Sequence, residues 1–460
     1  ESLSSGIVPH DWKISRVIPI HKSGNRNSPL NYRPISLTSI PSKILEHIIF
    51  SNVMRYIESN GLLTINQHGF RKELSCETQL LEFVHSIHSN LEHKQQTDAI
   101  FLDFSKAFDR VPHNRLIMKL HQLKIDHFII TWISKFLSDR CQYTVVNNSA
   151  SSKMSVTSGV LQGSVLGPLL FLIYINDLPL CVSSTIRLFA DDCVIYRTIS
   201  STSDHSSLQT DLSSIAKWCA NWQMSLNLDK CKVLTFSRLL SRSSYNYSIN
   251  DIILGSSSSY KYLGLHITTD LTWTTHVNHI VAKANSTLGF LRRNIRLAPP
   301  KVKQIAYLTL VRPKLEYVAS IWSPRQTYLK DELERVQRRA LRFIYSDYSF
   351  HTSVSELRKR ANFPELTLRR KIFRLTLFYK IYHHNPTIRN KLFPPPTSLF
   401  PRLDNNCKIQ PIYASTTSYA NSFIPFTINE WNALPNNIVT AHNIDVFKKV
   451  LGEFLESTMN

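Results

Sequence analysis

Two patterns of apolar spacing divide the chain near residue 268. Before that point, short β-branched runs such as Val17-Ile18-Pro19-Ile20 alternate with polar, turn-rich segments such as Lys22-Ser23-Gly24-Asn25, which predicts strands joined by tight turns. The spacing then changes to a helical one through Ile44, Leu45, Ile48, Ile49 and Val53. Further helices are expected over residues 115–123 and 128–137 and in the apolar run after Pro168, and strands over 99–102 and 186–196. Such a mixture places this part of the chain in the α+β class. Beyond Thr268, residues 280–293, 302–318 and 329–344 share a period near 3.6 and are loaded with Arg and Lys, which predicts a basic helical module. Pro394-Pro395-Pro396 opens a Pro- and Ser-rich stretch that runs to residue 418, read as a linker or extended loop before a last helix over 444–456. No internal repeat is visible.

The basic character extends to the whole chain, in which 54 Lys and Arg face 33 Asp and Glu for a formal charge of +21 over 460 residues. A field of that sign gathers polyanions and releases their counterions, so nucleic acid is the expected partner. At this length, with 43% hydrophobic residues, two or three subdomains are expected. Cys76, Cys141, Cys181, Cys193, Cys219, Cys231 and Cys407 are scattered, with no Cys-x-x-Cys pair and no close His at zinc spacing. Neither a disulfide framework nor a zinc knuckle is supported, and reduced thiols are expected. The longest apolar stretch, residues 165–175, stops at Asn176-Asp177, short of the roughly 20 residues a membrane span needs. The sequence opens at Glu1 without a signal pattern, and a start further upstream is expected.

Acidic residues stand where strands should be apolar. Phe189-Ala190-Asp191-Asp192, between Thr185-Ile186-Arg187-Leu188 and Cys193-Val194-Ile195-Tyr196, reads as strand, tight turn, strand. Two carboxylates at a hairpin tip repel one another by about 4 kcal/mol at ~4 Å and an effective dielectric of ~20, so an intervening cation is the natural remedy. Oxygen ligands of this kind suit Mg²⁺. A second acid, Asp103, ends the apolar run Ala99-Ile100-Phe101-Leu102, and beside the hairpin it would complete a three-carboxylate pocket for two metal ions. Between the two lies Gly159-Val160-Leu161-Gln162-Gly163-Ser164-Val165-Leu166-Gly167-Pro168. It holds three of only 11 glycines in the chain, where backbone can approach a ligand closely and Pro168 can start a helix.

The order of these elements, followed by residues 222–232 and Tyr262-Leu263-Gly264-Leu265, resembles the reverse transcriptase domain of non-LTR (LINE-type, jockey/CR1-like) retrotransposons. Upstream, the match extends to residues 12–24, to Asn31-Tyr32-Arg33-Pro34-Ile35-Ser36-Leu37 and to Gln67-His68-Gly69-Phe70-Arg71. The resemblance covers roughly residues 3–268 by specific motifs and rests on looser helical matches to about 350. It implies a right-hand polymerase: fingers and an antiparallel palm sheet over 1–268, a basic helical thumb over 269–350, and a helical extension of unassigned role over 351–460.

Carried over by position, the resemblance implies that Asp103 and Asp191 ligate both ions, with Asp192 completing the cluster and Phe104 adding a backbone carbonyl. Phe108 corresponds to the aromatic gate that occludes a ribose 2′-hydroxyl, which favours deoxynucleotides; Asp109 follows it. Lys22 and Arg33 correspond to residues gripping the incoming triphosphate, Gln162 and Gly163 to contacts with nucleotide and template backbone, and Lys230 to the lysine that protonates pyrophosphate. Tyr262, Leu263 and Gly264 correspond to the primer grip. Leu161, where many relatives carry Pro, and Cys193 depart from the usual pattern without removing a catalytic group.

The implied activity is RNA-directed DNA synthesis with Mg²⁺ (two ions, Mn²⁺ as a substitute), on an RNA template, from a DNA primer and dNTPs, without a membrane. The implied setting is nuclear during integration and otherwise a cytoplasmic ribonucleoprotein. An inactive RNA-binding remnant and a group II intron maturase-like enzyme stand as alternatives. Downstream, Trp273, Tyr307, Tyr317, Trp322 and Phe343 are expected to be mostly core rather than base-stacking.

Overall fold

A computed structural model describes residues 1–22, 24–239, 242–400 and 404–458. Ser23 of the first turn segment and residues 401–403 of the expected linker lie outside the described residues. The chain forms two compact units. The first comprises Glu1–Ser75, Asp98–Leu234 and Ser243–Ser257, the second Cys76–Thr97, Thr235–Arg242 and Ser258–Asn460.

The first unit is α+β. Its inner sheet pairs the hairpin strands Thr185–Phe189 and Asp192–Ile199 with Gln96–Asp103, which is followed by Lys232–Phe236 and Gly255–Ser256. Gln96, Thr97 and Asp98 open this strand as buried polar residues, residues 99–102 are apolar and buried to within 2% exposure, and the strand surfaces at Asp103. A second sheet pairs Ile14–His21 antiparallel with Tyr32–Leu37 and parallel with Arg140–Val146.

Helices Ile40–Ser59, His113–Gln122, His127–Leu137, Leu166–Ile175 and Thr202–Asn221 cover the first unit's sheets. The Leu166–Ile175 helix is buried on all sides, so its free N-terminal amides need an internal partner. Fully buried Glu46 supplies it, accepting from the amides of Val165 (2.8 Å) and Leu166 (3.2 Å). Asp126 and the reciprocal pair Ser201/Asp204 cap two other helices.

The second unit is helical apart from the hairpin Ser259–Tyr262/Leu265–Thr268 and flanking strand residues. Its helices include Cys76–Glu92, Thr274–Asn294, Thr327–Tyr345, Leu366–His384 and Ile444–Ser457. Residues 302–318, expected as one helix, are interrupted. Pro300–Ala306 gives way to a π-turn at Tyr307–Val311, followed by Arg312–Glu316, and Val318 turns left-handed at φ 53°. Pro313 explains the break, since it has no N–H to offer the carbonyl of Thr309 and its ring crowds that turn. Tyr307, Trp322 and Phe343 are core as expected, whereas Tyr317 is 46% exposed. The described parts of 394–418 are irregular apart from the start of a short helix, Thr417–Ala420, yet Cys407 and Ile409 are buried. No described helix is long and apolar enough to cross a membrane.

Candidate active site

The two hairpin strands leave a two-residue turn, Ala190-Asp191, between the paired residues Phe189 and Asp192. Ala190 takes φ 53°, a conformation that costs a non-glycine residue about 1–2 kcal/mol. It is held there from outside the hairpin. Residues 66–68 run parallel to the first hairpin strand, with the Leu188 amide donating to Asn66 and the His68 amide to Leu188. Gln67, 1% exposed, turns its Oε1 onto the amides of Ala190 (2.9 Å) and Gly69 (2.8 Å). A Cβ on Gly69 would lie 2.5 Å from the Ala190 nitrogen, so only glycine permits this approach. Gln67 belongs to the Gln67-His68-Gly69-Phe70-Arg71 motif, and nothing in the polar sequence around it points to the Ala190 turn, which lies 123 residues downstream.

Asp191 and Asp192 emerge from this turn and Asp103 from the neighbouring strand end, near enough to act on one another. Burial, then the charges of Asp191 and Asp103, push the Asp192 carboxyl up to about 6. Burial and Asp103 likewise raise Asp191, while Arg33 and Lys22 pull both groups down. The structure thus gathers Asp103, Asp191, Asp192, Lys22 and Arg33 at one place. Lys22 and Arg33 arrive on the antiparallel pair Ile14–His21/Tyr32–Leu37, where Ile20 faces Arg33 and the Lys22 amide donates to Asn31. Lys230 Nζ stands 3.6 Å from Asp103 Oδ2.

Past Asp103 the backbone pairs with residues 225–227, the Ser105 amide donating to Ser225 and the Asn227 amide to Asp103. In that register the Phe104 carbonyl points away from residues 225–227, toward the opposite edge, where the Asp192–Ile199 strand lies. Among the described residues no three acidic, His or Cys side chains close into a finished ligand sphere. The donor set nonetheless suits a hard divalent cation: it consists of oxygens only, and two of its carboxyls are raised by burial and like charge, which a cation would relieve.

The glycine-rich segment meets the Tyr32–Leu37 strand. The Ser36 amide donates to the Gln162 carbonyl at 2.7 Å. Gly163 has φ 115°, and a Cβ there would lie 2.4 Å from the Ser36 oxygen. Phe108 is half-buried, its ring stacked on Phe171 at 4.5 Å. In the second unit, Leu263 (φ 45°) and Gly264 (φ 85°) form the hairpin tip, the two positive φ values of a type I′ turn. Tyr262 itself is core, 2% exposed, its hydroxyl bound by Gln79 Nε2 at 2.8 Å.

The sequence profile of the reverse transcriptase (RNA-dependent DNA polymerase) family matches residues 20–267. A probable RNA-directed DNA polymerase from transposon BS of Drosophila melanogaster is 28% identical over 403 residues, 84% of this chain and 44% of that protein. The RNA-directed DNA polymerase from mobile element jockey of the same organism is 27% identical over 379 residues, 79% of this chain and 41% of that protein. The chain therefore spans less than half the length of these curated relatives. Its backbone also aligns with telomerase from Candida tropicalis at a TM-score of 0.45 and 11% identity, over 83% of this chain and 64% of that one. With more than half of its length matched by the family profile, and with carboxylates at the strand end and hairpin tip where the motifs lie, the chain belongs to the reverse transcriptase family.

Proposed function

We propose that this chain is the RNA-directed DNA polymerase portion of a non-LTR retrotransposon protein, copying an RNA template from a primer 3′-hydroxyl at a nicked chromosomal target in the nucleus. The observation that carries the reading is the meeting of Asp103, Asp191 and Asp192 with Lys22, Arg33 and Lys230 at the mouth of the inner sheet.

In this reading Asp103, Asp191, Asp192 and the Phe104 carbonyl would hold two Mg²⁺ ions. Bound there, the ions supply charge that lowers the pKa of the attacking hydroxyl and offsets that of the phosphates. Arg33 and Lys22 grip the triphosphate of the incoming nucleotide, a guanidinium fork and a point charge respectively. The primer oxygen forms a bond to the α-phosphorus as the bond to pyrophosphate breaks. Lys230, beside Asp103, delivers a proton to the departing pyrophosphate. Phe108, braced by Phe171, crowds the ribose 2′ position and so favours deoxynucleotides.

The test is DNA synthesis by the purified chain on an RNA template with an annealed primer, with and without chelator. Divalent-ion-dependent extension with dNTPs supports the reading. Salt-sensitive RNA binding with no extension under any divalent ion would replace it with an RNA-binding role.

A further inference from the structure

Asp109 takes no part in the acidic cluster, yet it ties two of the proposed nucleotide-contacting elements together. Gln162 Nε2 donates to Asp109 Oδ1 at 2.9 Å, and Ser158 Oγ donates to the Asp109 carbonyl at 3.1 Å. Around this pair the Gly159 amide donates to Val111 at 2.8 Å and the Val160 amide to Phe108 at 2.7 Å. His113 Nε2 lies 2.9 Å from the Gly159 carbonyl. Gly159 has φ 91°, and a Cβ there would stand 2.6 Å from the Asp109 carbonyl oxygen. The turn bearing Phe108 and the segment leading to Gln162 are therefore one piece.

The chemistry of the side-chain pair fixes an orientation. An ionised carboxylate only accepts, so the Gln162 amide must present its NH₂ end to Asp109, and its Oε1 is directed elsewhere. The Gln162 carbonyl is already engaged by the Ser36 amide, which pins the backbone. The side-chain amide is the remaining freedom, and Asp109 removes it. Behind Phe108 the Phe171 ring blocks retreat at 4.5 Å, nearly parallel at 18°.

We infer that Asp109 is a positioning residue for sugar selection: by fixing the Gln162 amide and the turn that carries Phe108, it sets the gap that admits deoxyribose and turns ribose away. The inference rests on the nucleotide roles proposed above for Gln162 and Phe108. A hydrogen bond to a charged group is stronger than one between neutral partners, and a tenfold change in discrimination corresponds to about 1.4 kcal/mol. Tenfold is thus within what this contact can supply.

The experiment measures kcat/KM for single dNTP and rNTP additions by the full chain, for Asp109→Ala, Asp109→Asn and Phe108→Val. Phe108→Val should admit ribonucleotides. Asp109→Ala should lower the dNTP-to-rNTP ratio about tenfold, and Asp109→Asn, which can still offer an oxygen to the Gln162 amide, should restore most of it. If Asp109→Ala does not fold, Asp109→Ser carries the same comparison. Equal losses on both sugars, or an unchanged ratio, in the Asp109 variants while Phe108→Val does admit ribonucleotides would overturn this inference alone. A Phe108→Val variant that still rejects ribonucleotides would overturn the gate reading and this inference with it.

Discussion

Replacing Gln67 by Met removes the acceptor that the Ala190-Asp191 turn leans on while keeping side-chain length and volume close to the original. Two buried amides, those of Ala190 and Gly69, then lose the oxygen now 2.9 and 2.8 Å away. A buried donor left without a partner costs about 1–3 kcal/mol, and the positive φ of Ala190 stores about 1–2 kcal/mol more that the turn can release by relaxing. With that strain released, the net loss of stability is roughly 1–4 kcal/mol, but the relaxation moves Asp191. A shift of about 1 Å in a reacting group costs on the order of 100-fold in rate. Gln67→Met should therefore lower kcat for single-nucleotide addition about 100-fold with template–primer affinity unchanged, and raise hydrogen exchange in the peptide containing Ala190. A Gln67→Met enzyme within threefold of the parent kcat, with unchanged exchange at that peptide, would refute the reasoning.

Gly163→Ala places a methyl 2.4 Å from the Ser36 carbonyl at φ 115°; a penalty of about 1–3 kcal/mol from backbone strain alone should appear as a lower unfolding midpoint together with lost synthesis. Asp192→Asn should abolish synthesis yet stabilise the metal-free protein by about 1 kcal/mol near neutral pH, because it removes a repelled charge on a side chain partly open to water. The sign follows from the raised carboxyl, which sits at about 6 instead of 3.8. Metal-free stability should fall as pH rises through that interval, so thermal melts of parent and variant should differ at pH 7 and converge near pH 4. Lys230→Met breaks an exposed contact of 3.6 Å and should shift stability by less than about 1 kcal/mol, while rapid-quench measurement of the chemical step should show a slower rate.

The acids were legible because each violates its surroundings: Asp103 ends a strand whose preceding four residues are apolar and buried, and Asp191-Asp192 stands at the tip of a hairpin whose neighbouring residues Leu188, Phe189, Cys193 and Val194 are apolar. The periodicity of residues 302–318 predicts one helix, and the only signal in the sequence for its interruption is Pro313. What could not be read were contacts between residues far apart in the chain. Gln67 meets Ala190 across 123 positions, and Asp109 meets Gln162 across 53; hydrophobic periodicity carries no information about which polar pairs the folded sheet brings together. Tyr262 shows a further limit, since the same aromatic strand residue fits a ligand contact or a core position, and here its side chain is core.

In the proposed reading Asp103, Asp191 and Asp192 form one metal-dependent polymerising centre. The most direct measurement is single-turnover dNTP addition on an RNA template with Mg²⁺, comparing the parent with Asp191→Asn, alongside template–primer binding. The Asp191→Asn rate should be lower by at least about 10³-fold, the loss of several kcal/mol of charge stabilisation in the transition state, with binding intact. An Asp191→Asn protein that extends the primer at the parent's rate would contradict it.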